Sequence, residues 1–199
     1  MKITWAPSDW KIYKVGDVLK RVRRPVAVEA KTIYREIGIR SHGKGIFHKK
    51  EMTGAAIGNK RVFWIEPDCF VVNIVFAWEG AVAQTSKAEQ GMIASHRFPM
   101  YKPVDSLLDL DFVMYFFKSQ RGNHLLRLAS PGGAGRNKTL GQQGFSKLEI
   151  PLPPIAVQKT IGAILRDCDE AITLTERLIE GKQKRKKGLM QHGKYCPKT

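Results

Sequence analysis

Hydrophobic positions fall in two regimes along the 199 residues. Up to about residue 150 the apolar runs are short and broken by Gly, Pro and Asn, a pattern of strands separated by turns. Strands are predicted over 34–39, 61–65, 70–76 and 98–101. The run FVVNIVF at 70–76 is almost continuously apolar, which suits a strand buried on both faces. Residues 107–128 read as a helix, with Asp105 or Ser106 as its cap and apolar residues at Leu108, Phe112, Tyr115 and Phe116. From Ile155 to about Met190 there is no proline, and apolar residues recur at heptad spacing: Ile161, Leu165, Cys168, Ile172, Thr175 and Ile179. Ile164, Ala171, Leu174 and Leu178 widen that stripe. The expected architecture is a mixed α/β (α+β) globular domain, residues 1–150, then a long coiled-coil-forming helix at 151–191 and a tail at 192–199. The prolines of PLPP at 151–154 read as a stiff extended linker between the two.

Charge changes the picture next. Thirty-four Lys and Arg against 18 Asp and Glu give a net charge of +16. The excess is +9 over residues 1–50, +2 over 51–157 and +5 over 158–199. A 43% hydrophobic content excludes wholesale disorder, so the excess sits on a folded chain and implies a polyanionic partner, with nucleic acid foremost. Along the helix, Asp167, Asp169, Glu170, Glu176 and Glu180 precede Lys182, Lys184, Arg185, Lys186 and Lys187. Two copies packed in parallel would set basic end against basic end, whereas antiparallel packing turns that repulsion into attraction. A homodimer through this seam is expected. No apolar run nears the ~20 residues that span a bilayer, and MKITWAPSDWK lacks a signal peptide's apolar stretch. A cytoplasmic chain with no membrane partner is expected.

Catalytic signatures do not assemble. Gly132-Gly-Ala-Gly135 lacks the Gly-Lys-Ser/Thr of a P-loop. His42, His48, His96, His124 and His192 are scattered, and Cys69, Cys168 and Cys196 have no metal or disulfide spacing. No Gly-x-Ser-x-Gly elbow is present. Pro67-Asp68 has no acidic-x-Lys partner short of Glu180-Gly-Lys182, and there is no Asn/Asp-Pro-Pro-aromatic motif. The reading is no catalytic residue, no metal ligand and no cofactor site in this chain. DNA contact has better material. Arg21, Arg23 and Arg24, beside Lys20, form a basic cluster suited to phosphates. The loop RSHGKG at 40–45 offers Arg40, His42 and Lys44, with Lys49 and Lys50 close behind. In SPGGAGRNKT at 130–139, Arg136, Asn137 and Lys138 follow a glycine-rich tip; Arg matches guanine O6/N7 and Asn matches adenine N6/N7.

This arrangement resembles the specificity subunit of Type I restriction–modification enzymes. SDWKIYKVGDV at 8–18 is similar to the family's opening of a target recognition domain. FSKLEIPLPPIAVQKTIGAIL at 145–165 is similar to its junction into a long conserved helix, and KRKKGLMQ at 184–191 to that helix's close. The resemblance implies a non-catalytic reader of double-stranded DNA that positions methyltransferase (M) and restriction (R) subunits on a bipartite target. S-adenosylmethionine, ATP and magnesium are then implied for those partners only. The family's usual member carries two recognition domains and two conserved helices, while one of each is found here; antiparallel pairing of two copies would restore the two-fold arrangement and imply a palindromic site. A general nucleic-acid-binding module with a coiled-coil dimeriser, or a nuclease, are the alternative readings.

Overall fold

The computed structural model describes residues 6–132 and 138–192. A compact unit runs to Gly162 and a second unit follows from Ala163. The elements in order are β1 (Lys11–Lys14), α1 (Val15–Val18), β2 (Leu19–Val22), β3 (Ile33–Ile39), β4 (Ile46–Thr53), α2 (Gly54–Ile57), β5 (Val62–Trp64), β6 (Phe70–Val72), β7 (Val82–Gln84), β8 (Ile93–Ser95), β9 (Met100–Pro103), α3 (Leu110–Lys118), α4 (Gln120–Leu128), α5 (Gln142–Lys147), β10 (Glu149–Leu152) and α6 (Ile155–His192). The mixed α/β class with a long C-terminal helix is what the patterning predicts.

Two four-stranded sheets, ordered β2-β9-β6-β7 and β4-β3-β8-β5, build the body, and β1 pairs with β10 in a separate two-stranded ribbon. The apolar run at 70–72 explains how the body is layered. Phe70 and Val72 point into a core shared with α3, α5 and Phe145, while Val71 points the other way, against Ile37, Ile65 and Ala83. Period-two alternation therefore places β6 between two hydrophobic clusters, which is why its sequence shows no polar face. The strand ends at Val72, short of residue 76, because the Asn73 side chain accepts from the Val75 N–H and turns the chain.

The helix predicted over 107–128 is two helices. Asp109, not Asp105 or Ser106, caps α3 by accepting from the Phe112 N–H at 2.9 Å. Ser119 adopts an extended ψ of 161° and its hydroxyl accepts from Gly122 N, capping α4. Gly122 permits the tight corner, since a Cβ there would lie 2.0 Å from the Phe116 carbonyl oxygen. The PLPP segment is not a linker: Pro151 and Leu152 belong to β10 and pair antiparallel with Ile12 and Lys11. The compact unit accordingly extends beyond residue 150 to Gly162. Gln158, fully buried on the first turns of α6, anchors that end. Its amide donates to the carbonyls of Leu107 and Pro153 and accepts from the Asp109 N–H, at 2.8–3.0 Å.

From Ala163 onward α6 exposes its apolar stripe. Leu165, Ile172 and Ile179 are 38%, 57% and 51% exposed, and Cys168 and Thr175 between them are exposed as well. The Thr175 hydroxyl donates to the Ala171 carbonyl, which satisfies its polarity within the helix. Ile161 departs from the expected seam: it packs against the core of the globular unit. The remaining seam positions stay together on one uncovered face. No helix among the described residues is long and apolar enough to cross a membrane.

Candidate nucleic-acid interface

Three segments far apart in sequence meet around Trp78. The 40–45 turn is closed by Arg40 N–H to the Gly45 carbonyl, with the Arg40 guanidinium donating to the Ile46 carbonyl and lying 4.9 Å from the Phe47 ring centre. At its tip His42 and Gly43 take left-handed φ values of 61° and 63°. That geometry points both their N–H groups at the carbonyls of Glu79 and Gly80, at 2.8 Å each. The turn is thus fastened to the segment after Trp78. Helix α4 meets the same segment, since the Arg127 Nε donates to the Trp78 carbonyl. Lys138, the first described residue after the glycine-rich tip, places its ammonium 5.5 Å from the Trp78 ring centre.

Between turn and helix lies a cleft of about 710 Å³, lined by His42, Gly43, Glu79, Gly80 and residues from Phe117 to Arg127. Lys118, Arg121 and Arg127 outweigh Glu79 there, and the Glu79 carboxylate already accepts from the Ser41 hydroxyl at 2.7 Å. Gly80, at φ 71°, leaves room for Asn123, whose amide nitrogen would lie 2.8 Å from any Cβ on that residue. A second cleft of about 590 Å³ is lined by Lys49, Lys60, Arg61, His96 and Arg97 around Glu36 and the partly exposed Phe76. Its buried Glu36 carboxylate is neutralised by Lys49 at 3.0 Å. Asn73, Val75 and Phe76 line the second cleft and Glu79 and Gly80 the first, so one segment joins two basic hollows. Such surfaces attract phosphate backbones while exposing groups able to contact bases.

The sequence-derived site residues divide accordingly. His42 borders the first cleft and Lys49 the second. Lys44 and Lys50 are exposed on the turn and on β4. Arg136 and Asn137 lie outside the described residues. The basic cluster at 21–24 does not act as one patch. Arg23 is exposed, but Arg24 is paired with Glu66 at 2.7 Å, and that bond holds the Glu66 carboxyl below its ordinary value. Arg21 turns inward, because on β2 it alternates with the exposed Lys20, and its guanidinium donates to the Gln142 amide oxygen. Burial, with Arg23 beside it, lowers its pKa, and its Nε is buried without a hydrogen-bond partner. Arg21 is therefore engaged in packing the β2–β9 pair, opposite Tyr101.

What sequence reasoning missed is α4. Its Gln120, Arg121, Asn123, His124 and Arg127 line the first cleft, with Lys118 at the end of α3 beside them. Their periodicity was hidden by the helix break at Ser119. Among the described residues no group of three or more His, Cys, Asp or Glu side chains is placed to hold a metal.

Residues 7–181 match the model of the family described as Type I restriction modification DNA specificity domain. The chain belongs to this family. The match spans the globular unit and much of α6. This specificity-domain chain is 27% identical over 191 residues to the Type I restriction enzyme MjaVIII specificity subunit of Methanocaldococcus jannaschii, covering 93% of the chain and 42% of that protein. It is 21% identical to the putative type I restriction enzyme MjaX specificity subunit of the same organism, covering 93% and 45%. The fold is similar to that of the HsdS subunit from Thermoanaerobacter tengcongensis, with a TM-score of 0.68 at 22% identity over 94% of this chain and 48% of that one. The S subunit of M. genitalium gives 0.56 at 16% identity, over 92% and 45%. The chain thus spans less than half the length of the relatives it matches. Those relatives are specificity subunits, the non-catalytic components of their enzymes.

Proposed function

We propose that this specificity-domain chain reads double-stranded DNA sequence for a Type I restriction–modification enzyme and carries no catalytic step itself. The observation that carries the reading is the family match from 7 to 181, on a unit whose basic clefts gather the 40–45 turn, α4 and Lys138 around Trp78. In this reading the globular unit is the target recognition domain and α6 is the spacer. The M and R subunits dock on the assembly and bring the S-adenosylmethionine, ATP and magnesium chemistry, and the complex works in the cytoplasm. The uncovered stripe at Leu165, Cys168, Ile172, Thr175 and Ile179 pairs with a second copy. An acidic stretch at 167–180 and a basic one at 182–187 favour the antiparallel arrangement. Two identical domains related by a two-fold axis then read a palindromic, bipartite site.

The test is selection: the purified chain is incubated with a random duplex library and the bound fraction is sequenced. Enrichment of a defined motif, with inverted halves, supports the proposal. Retention of duplexes without any enriched motif would mark a general nucleic-acid-binding module, since phosphate contacts carry no sequence information.

A further inference from the structure

We propose that α4 carries a base-reading face made of Gln120, Asn123 and His124. The inference rests on the DNA-reading function above and names residues that the basic patches alone do not. On a helix, positions i, i+3 and i+4 share one side, and these three line the cleft opposite the 40–45 turn. The other side of α4 is committed to packing, with Gly122 and Leu126 fully buried and Leu125 set against the core.

The chemistry of the three side chains is what distinguishes them from their cationic neighbours. Two carboxamides each present a donor and an acceptor side by side, the pattern that matches adenine N7 and N6, and an imidazole presents a donor or an acceptor to a base edge. Among the described residues no side-chain hydrogen bond engages any of the three, unlike the Glu79 carboxylate or the Arg127 guanidinium on the same walls. Polar groups that line a concave surface without protein partners are poised for an external one. The backbone makes space for them: Gly80 leaves room for the Asn123 amide. The cations around them supply non-specific attraction, so the amides are left to discriminate.

The experiment uses the full chain and the duplex selected from the random library, compared with a scrambled duplex. Gln120→Ala is exposed and serves as the variant least able to disturb folding; Asn123→Ala and His124→Ala accompany it, each checked by its thermal midpoint. The expected result is a relaxed preference at one or two base positions, by roughly 5- to 150-fold, with affinity for the scrambled duplex and the salt dependence unchanged. Equal weakening on both duplexes would make these residues phosphate contacts and overturn the inference. So would a preference that survives in all three variants while the wild-type chain remains selective; that outcome leaves the DNA-reading function standing. A wild-type chain with no preference at all removes that function, and this inference with it.

Discussion

Replacing Gln158 by alanine tests how the compact unit secures the beginning of α6. One amide makes three hydrogen bonds, to the Leu107 and Pro153 carbonyls and from the Asp109 N–H, and it is fully buried. Each such bond contributes about 0.5–1.5 kcal/mol net, and orphaned backbone groups that stay dry cost more. Alanine regains a few tenths through its helix propensity. The expected loss is about 2–4 kcal/mol, which for a domain of this size lowers the thermal midpoint by roughly 5–15 °C. Gln158→Glu separates hydrogen bonding from shape. It keeps the acceptor for Asp109 N–H but turns a carboxylate oxygen toward two carbonyl oxygens, so it should lose at least as much as alanine. Gln183→Ala, on the exposed part of the same helix, is the control and should change stability by no more than about 0.5 kcal/mol. Calorimetry of the four proteins decides the matter. A Gln158→Ala midpoint within about 2 °C of wild type, or a Gln183→Ala loss of equal size, would refute the anchoring argument.

Other expectations follow from the same structure. Ile172→Asp or Ile179→Asp, at positions 57% and 51% exposed in the single chain, should leave the fold intact but split the proposed dimer by burying a charge in the seam; sedimentation equilibrium that still gives a dimer with both changes would place the interface elsewhere. Cys69 is sealed in the core, where burial pushes its thiol up to about 11, so in a Cys168→Ser, Cys196→Ser background it should resist a thiol reagent at pH 8 until the chain is unfolded. Glu89 is buried, which opposes ionisation, but bonds from His48 and Ser86 outweigh this and hold its carboxyl below the ordinary 4.5. Such a group stabilises the fold above its unfolded pKa, and that stabilisation is lost as the pH falls through the folded value. The stability gap between wild type and Glu89→Gln should therefore narrow as the pH drops below about 4.5; a gap that widens would contradict the sign.

Legibility in the sequence followed the strength of periodicity. The continuous apolar run of β6 is carried by side chains whose spacing alone dictates burial, whereas the heptad series of α6 shows in its spacing although its face is uncovered beyond Ala163. The edge strand β4 was not legible, because its residues, including Lys49, Lys50 and Glu51, lack an apolar face and gain their place by pairing with β3. Ile161 cannot be told from Leu165 by spacing, yet only the former meets the domain core. Arg21 read as surface charge because β2 was not recognised, and without the strand its inward direction is invisible. The turn at 40–45 was legible from its glycines and cations. The face of α4 was not, since an unbroken apolar series conceals the corner at Ser119 that sets which residues look into the cleft.

The measurement that bears most directly on the central claim is a competition between the selected duplex and its scramble, titrated with salt. The account expects both affinities to fall as salt rises, with a log–log slope of about 0.9 per phosphate contacted, while the selected duplex stays at least about tenfold tighter, a gap of about 1.4 kcal/mol. Two curves that coincide at every salt concentration would contradict it, leaving a basic surface that holds DNA without reading it.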